Sequence, residues 1–175
     1  LELSSHDRPV DILHDGFDCV IRTGALPEDG VIARPLGKLT MVNCASPHYL
    51  TRFGYPQSPD DLTSHAIVRY TPHLGVHPLG FEVASVNGVQ WFKSGGMLTV
   101  NSSENYLTAG LAGLGIIQIP RIAVREALRA GRLIEVLPGY RAEPLSLSLV
   151  YPQRRELSRR VNLFMQWLAG VMKEY

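Results

Sequence analysis

VNSSENYLTAGLAGLGIIQIP, residues 100–120, is the stretch on which the reading of this chain turns. A strand-like run ends at Val100, four small or polar residues follow, a helical spacing takes over, and Gly113-Leu114-Gly115 leads into a second apolar run. Side-chain oxygens of Asn101, Ser102 or Ser103 can accept the unpaired amide protons of a first helical turn, and Glu104 suits the positive end of the helix dipole. That accounts for a helix start. The same geometry turns free amides and hydroxyls outward, toward a small anion or carboxylate if one lies beyond the helix.

Working outward, the pattern continues on both sides. Downstream, IIQI (116–119) predicts a strand, RIAVREALRAG (121–131) a helix, LIEVL (133–137) a strand and LSLSLVY (145–151) an alternating strand. The chain closes on a helix whose Leu157, Val161, Phe164, Leu168, Val171 and Met172 share one face, with Ser158 as its cap. Upstream, DRPVDILHDG (7–16) reads as a short helix with Pro9 in its first turn, and FDCVI (17–21) as a strand. Strand, helix and strand in the first twenty residues give the rhythm of a parallel α/β sheet. SPHYLTRFG (46–54) and SPDDLTSH (58–65) each carry Ser as cap and Pro at the first helical position. Between 66 and 100, short apolar runs separated by VNG and SGG predict antiparallel hairpins, and VIARPLGKLTMVNCA (31–45) is a long extended stretch broken by Pro35 and Gly37.

Composition bounds the function. The chain has 175 residues, 45% hydrophobic and 19% charged, as expected of one globular domain or two small lobes. Net charge is +1, and basic doublets occur only at Arg154-Arg155 and Arg159-Arg160, so no basic nucleic-acid face is visible. No apolar run reaches the roughly 20 residues of a membrane helix. The opening LELSSHD lacks the regions of a secretion signal and has no initiator Met, which predicts a cytoplasmic fragment of a longer protein. Cys19 and Cys44 lie in apolar runs without CxxC spacing, which points to buried free thiols and to neither a disulfide nor a zinc site. His73 and His77 are four apart, but Pro72 and Pro78 flank them, so a helical metal pair is not expected. Trp91, Tyr106 and Trp167 are expected to serve packing. No cofactor, metal or catalytic residue is expected.

Several phrases in this order resemble one family: DRPVDILHDGFDCVIRTG, ARPLG followed by NCASPHYLTRFG, SPDDLTSHAIVRY, AGLGIIQIP, GRLIEVLPGY and LVYPQRRELSRRVNLFMQWL. The chain resembles the effector-binding domain of LysR-type bacterial transcriptional regulators. The resemblance implies an α/β fold of two Rossmann-like lobes of the type II periplasmic-binding-protein kind, joined by two crossing strands at 31–45 and 145–151. Lobe I would comprise 1–38 and 148–175 and be incomplete, its first strand and helix being absent, and lobe II would comprise 39–147. It also implies a small-molecule effector held between the lobes, a homo-oligomer (dimer or tetramer), no membrane, and DNA contact only through a missing N-terminal winged helix-turn-helix.

Ligands of open α/β sheets bind beyond the carboxyl ends of strands. Three loops qualify here, and the resemblance puts them on the cleft: Arg22-Thr23-Gly24, Ala45-Ser46-Pro47, and Asn101-Ser102-Ser103 with Glu104; Pro120 and Arg121 form a fourth wall. Each has a plainer reading. Thr23 and Gly24 can simply make a turn, and Ser46, Ser102 and Ser103 can simply cap helices. Arg22 suits bidentate recognition of a carboxylate, or a salt bridge to Asp18. The expected function is therefore effector sensing that modulates transcription. A solute-binding protein of a transport system is the alternative, and a hydrolase using Cys44 or a Ser is disfavoured because no G-x-S-x-G signature is present.

Overall fold

The computed structural model describes residues 1–8, 10–24, 30–73, 75, 80–96, 98–153 and 157–172; Pro9, His77, Pro78 and the Arg154-Arg155 doublet of the sequence reading lie outside them. The chain divides into two compact units, one of Leu1–Pro9 with Thr40–Glu143 and one of Val10–Leu39 with Pro144–Tyr175.

In the larger unit, β3 (Met41–Ala45) is the middle strand of a three-stranded sheet, paired antiparallel with β8 (Ile117–Pro120) and β9 (Ile134–Glu135). Both faces of β3 are covered, which is why MVNCA is nearly all apolar. On one face Val42 and Cys44, with Ile117 and Ile119, pack under α2 (Ser103–Leu111) and α3 (Arg121–Arg129) through Tyr106, Ala109, Val124 and Ala127. On the other, Ala45 and Ile116 meet Tyr49 and Leu50 of α1 (Pro47–Phe53), Leu62 of a 3-10 helix (Pro59–Ser64), and Phe81 and Val83 of β5 (Phe81–Ser85). β5 forms a hairpin with β6 (Gly88–Phe92). β4 (Arg69–Tyr70) and β7 (Thr99–Val100) run parallel, so their carboxyl ends reach the same edge.

In the smaller unit, β10 (Leu145–Pro152) lies between β1 (Val20–Thr23) and β2 (Val31–Leu39), antiparallel to both. The ribbon of β2 and β10 slips register opposite Pro35-Gly37, as expected where a proline cannot donate to the ladder. α4 (Arg159–Val171) starts on Ser158, whose hydroxyl accepts from the Val161 amide at 3.3 Å, and buries Met165 and Leu168 against Leu149.

Several expectations change. In place of the helix expected over 7–16, the described residues hold a single turn: the Asp11 carboxylate accepts from the Leu13 and His14 amides as a cap would, and the Asp15 amide donates to the Asp11 carbonyl at 2.8 Å. The three-stranded sheets are antiparallel, and the expected parallel pairing is found between β4 and β7 and at the bridges Ala66–Gly95 and Ile67–Ile116. The stretch 58–65 coils as 3-10, and among the described residues between 66 and 100 only β5 and β6 form a hairpin. Residues 1–9, expected in lobe I, group with 40–143, where Asp7 is hydrogen-bonded to Ser103; Leu145–Leu147, expected in lobe II, pair with β2, and Leu147 also with β1. Trp91 and Trp167 are exposed at 45% and 61%, Trp167 packing by its ring on Phe164 alone among the ring contacts of the described residues.

Candidate functional site

The quoted stretch folds as its composition requires. Ser102 is the N-cap of α2, and its hydroxyl accepts from the Asn105 amide at 3.4 Å. Its backbone is extended while its carbonyl accepts the first helical bond, from Tyr106 at 2.9 Å. The next residue, Ser103, has no such internal partner. Its amide donates to Oδ2 of Asp7 at 2.6 Å and its hydroxyl reaches the same oxygen at 3.2 Å. Tyr70, at the carboxyl end of β4, lies close enough to Asp7 to feel it: burial first, and then the charge of the Asp7 carboxylate, push the Tyr70 hydroxyl up from its ordinary value. The Tyr70 ring also packs on Tyr106, with centroids 5.7 Å apart. Thr71 follows, its amide donating to the Val100 carbonyl at 3.0 Å. The ends of two parallel strands and the start of one helix thus form a single polar edge, made of Tyr70, Thr71, Asn101, Ser102 and Ser103.

The geometry of α2 sorts the remaining candidates. A Cβ on Gly110 would strike Ile117, and Tyr106 exchanges bonds with Gln118 through its hydroxyl, so β8 runs toward the Ser103 end and brings Pro120 to that side. Ser46 lies at the opposite end. A Cβ on Gly113, just past α2, would fall 3.0 Å from the Ser46 hydroxyl oxygen. The nine residues of α2 hold these ends about 13 Å apart. Ser46 is buried and accepts from the Tyr49 amide at 3.2 Å, which is the plain capping role; Ala45 is buried and Pro47 is exposed beside it. The structure therefore brings together Asn101, Ser102, Ser103 and Pro120, and leaves Ala45, Ser46 and Pro47 apart.

In the other unit, Arg22 forms no salt bridge with Asp18. Its guanidinium donates to the Val10 carbonyl at 2.8 Å, tying the turn at 10–15 to β1. Thr23 is exposed, and Gly24, with φ +78°, donates to the Ser146 carbonyl at 3.0 Å, a left-handed turn that favours glycine. Arg121 is held by Glu135, which also pairs with Arg141.

Asp7, Tyr70 and Thr71 were missed by the sequence reading. Thr71 follows the strand-like AIVRY and was within reach of the strand-end rule. Asp7 lies 96 residues from Ser103 and no local signal connects them. Neither thiol is activated: burial pushes Cys44 up to about 12, with a smaller contribution from Glu135, and burial raises the half-buried Cys19 as well. A cavity of about 380 Å³ opens elsewhere in the larger unit, between the 3-10 helix, the β5–β6 hairpin and Tyr140; among the described residues its one charged lining residue is Asp60, so it does not suit an anion.

Comparison with known proteins follows the same direction. The family model described as LysR substrate binding domain matches residues 1–173. The chain is 35% identical to the HTH-type transcriptional repressor PA14_22550 of Pseudomonas aeruginosa over 99% of its own length and 55% of that protein. It is 31% identical to the HTH-type transcriptional activator AaeR of Escherichia coli, over 94% and 52%. The regulatory domain of CrgA, a LysR-type transcriptional regulator from Neisseria meningitidis, superposes with a TM-score of 0.79 at 25% identity, covering 92% of this chain and 78% of that one. The chain spans about half the length of the curated relatives it matches.

Proposed function

The chain belongs to the LysR substrate-binding domain family, and from that premise we propose that it senses a small anionic effector for a bacterial LysR-type transcriptional regulator. The effector-binding role follows from the family, and the solute-transport alternative is not favoured, since the relatives are transcriptional regulators. In the whole protein, on this reading, the two units are the two lobes, the domain assembles as a dimer or tetramer in the cytoplasm, and DNA is contacted by a helix-turn-helix beyond the matched half. Effector binding changes DNA binding only to the extent that the effector prefers one conformation of the oligomer.

The polar edge at α2 supports the anion: Ser102 caps the helix from within and leaves the Ser103 amide and hydroxyl directed outward at its positive end. Pro120 stands on the same side. Arg22, Thr23 and Gly24 remain candidates by resemblance, with Arg22 engaged to Val10.

The test is a thermal-shift comparison of sodium acetate and sodium benzoate with acetamide and benzamide. At tenfold excess over Kd a bound acid should raise Tm by about 3–6 °C and its amide should not. Ser103→Pro should abolish the shift without unfolding the chain. Proline is well accepted at the first helical position, yet it removes both donors. Equal shifts from acids and amides, or shifts that persist in Ser103→Pro, would remove the anion reading.

A further inference from the structure

The cavity of about 380 Å³ in the larger unit has no part in the α2 edge. It lies against the 3-10 helix and the β5–β6 hairpin, on the face of the β3 sheet opposite the one that α2 covers. Its size falls in the range of small-molecule sites, roughly 300–1,000 Å³. Pro59 and Val83 are buried and Phe92 is half-buried, which gives it an apolar lining, and Tyr140, 39% exposed, adds an aromatic wall. That wall is built in advance: the Tyr140 carbonyl accepts from the buried Asn43 amide group at 2.8 Å and its own amide donates to the Leu137 carbonyl at 2.9 Å.

The polar groups nearby divide into spent and unspent. The Ser85 hydroxyl serves the hairpin turn, donating to the Gly88 carbonyl at 2.7 Å. Asp61 caps the 3-10 helix by accepting from the Gln57 and Ser58 amides at 2.8 and 2.9 Å, so the helix start does not depend on its neighbour Asp60. The Asp60 carboxylate, which is the one on the cavity, makes no hydrogen bond or ion pair with any described residue, and neither do the Gln90 side chain and the Tyr140 hydroxyl. No Lys or Arg lines the cavity among the described residues, and Arg141, next to Tyr140, is held by Glu135 at 2.6 Å. A carboxylate without a counter-ion, beside an aromatic ring and an apolar surface, suits an ammonium carried on an apolar body, through a charge-assisted hydrogen bond and a cation–π contact.

We propose that this cavity is a second small-molecule site, for an organic ammonium: Asp60 takes the charged nitrogen, and Tyr140, Phe92 and Val83 hold the apolar body. The proposal stands independently of the anion reading, since it concerns the opposite ligand charge on the opposite face of the sheet.

The test is a 15N NMR titration of the protein at pH 7 with tryptamine hydrochloride, its neutral analogue tryptophol and the anion indoleacetate. Tryptamine should move the amides of Asp60, Val83, Gln90 and Gly139 saturably and leave Ser103 in place. Tryptophol should bind about tenfold more weakly, and indoleacetate should not bind there. Asp60→Asn should bring tryptamine down to the level of tryptophol without changing tryptophol itself, and Tyr140→Leu should weaken both. The amides of Ile117 and Val124, in the core, report that each variant stays folded, and the contrast between tryptamine and tryptophol in the wild type decides the matter without any variant. Equal affinity for tryptamine and either analogue, tryptamine binding unaltered by Asp60→Asn, or no saturable change at the cavity amides would overturn the proposal.

Discussion

The hydroxyl of Tyr49 lies 3.0 Å from Nδ1 of His65, both residues buried, and the same hydroxyl accepts the Ala66 amide at 2.9 Å. The alternative acceptor for its proton, the Ala66 carbonyl, is farther at 3.4 Å, so the assigned arrangement has a neutral His65 accepting at Nδ1.

Protonating His65 breaks this arrangement. Burial holds its pKa below the ordinary histidine value, and Asp61 opposes the effect only in part. The unfolded chain therefore takes up the proton first: stability is full above about pH 6.5 and declines as pH falls below it toward the folded value. Urea midpoints at pH 7 and pH 5 should show the decline, and His65→Gln should flatten it. An equally steep decline in that variant would assign the effect to another group.

Asn43 is fully buried in the middle strand. Its amide donates to the carbonyls of Leu137 and Tyr140 at 3.2 and 2.8 Å and accepts from Gln118 at 2.9 Å. It thereby fixes a turn in which Leu137 has φ +48°. Asn43→Ala should cost about 3 kcal/mol, a fall in Tm of about 6–12 °C, because several polar groups lose partners at once. A fall under 2 °C would mean the turn finds other partners.

Gly115 closes the Gly-Leu-Gly of the quoted stretch. Its φ is +159°, at the edge of the glycine region, and a Cβ would lie 2.6 Å from the Ala66 carbonyl oxygen, which is backbone and cannot step aside. Gly115→Ala should destabilise by about 1–3 kcal/mol, read from urea unfolding at constant m. Gly139→Ala meets nothing within 4 Å and has no left-handed backbone, so it should cost less; the reverse order would refute the close-approach argument.

With its thiol buried and pushed up to about 12, Cys44 stays protonated at pH 8. A thiol-reactive disulfide reagent should therefore label Cys44 only after unfolding in urea, whereas the half-buried Cys19 should react in the native protein. Mass spectrometry of the native adduct decides this, and prompt labelling of Cys44 would contradict its burial.

The local structure around α2 was legible because cap chemistry is written within four residues: Ser102 caps, Ser103 opens the helix, and the apolar runs on either side become β7 and β8. The helix and strand 121–135 and the closing helix after Ser158 were legible for the same reason, periodic burial next to a cap or a stop. The helix expected at 7–16 is reduced to one turn that begins at Asp11, which caps it with its own carboxylate; spacing does not reveal that the start falls so late.

Sequence by itself determined the α/β character, most elements and their caps, and the family, since these depend on local propensity and on an ordered series of phrases. Tertiary structure alone decided which helix starts share an edge. Ser46 and Ser102 look alike in sequence, yet the length of α2 separates them, with Ser46 sealed against Gly113 and the amide beside Ser102 turned outward to Asp7. The physical reason is that capping is settled within one turn of chain, whereas access and neighbours are set by how strands and helices pack across a hundred residues.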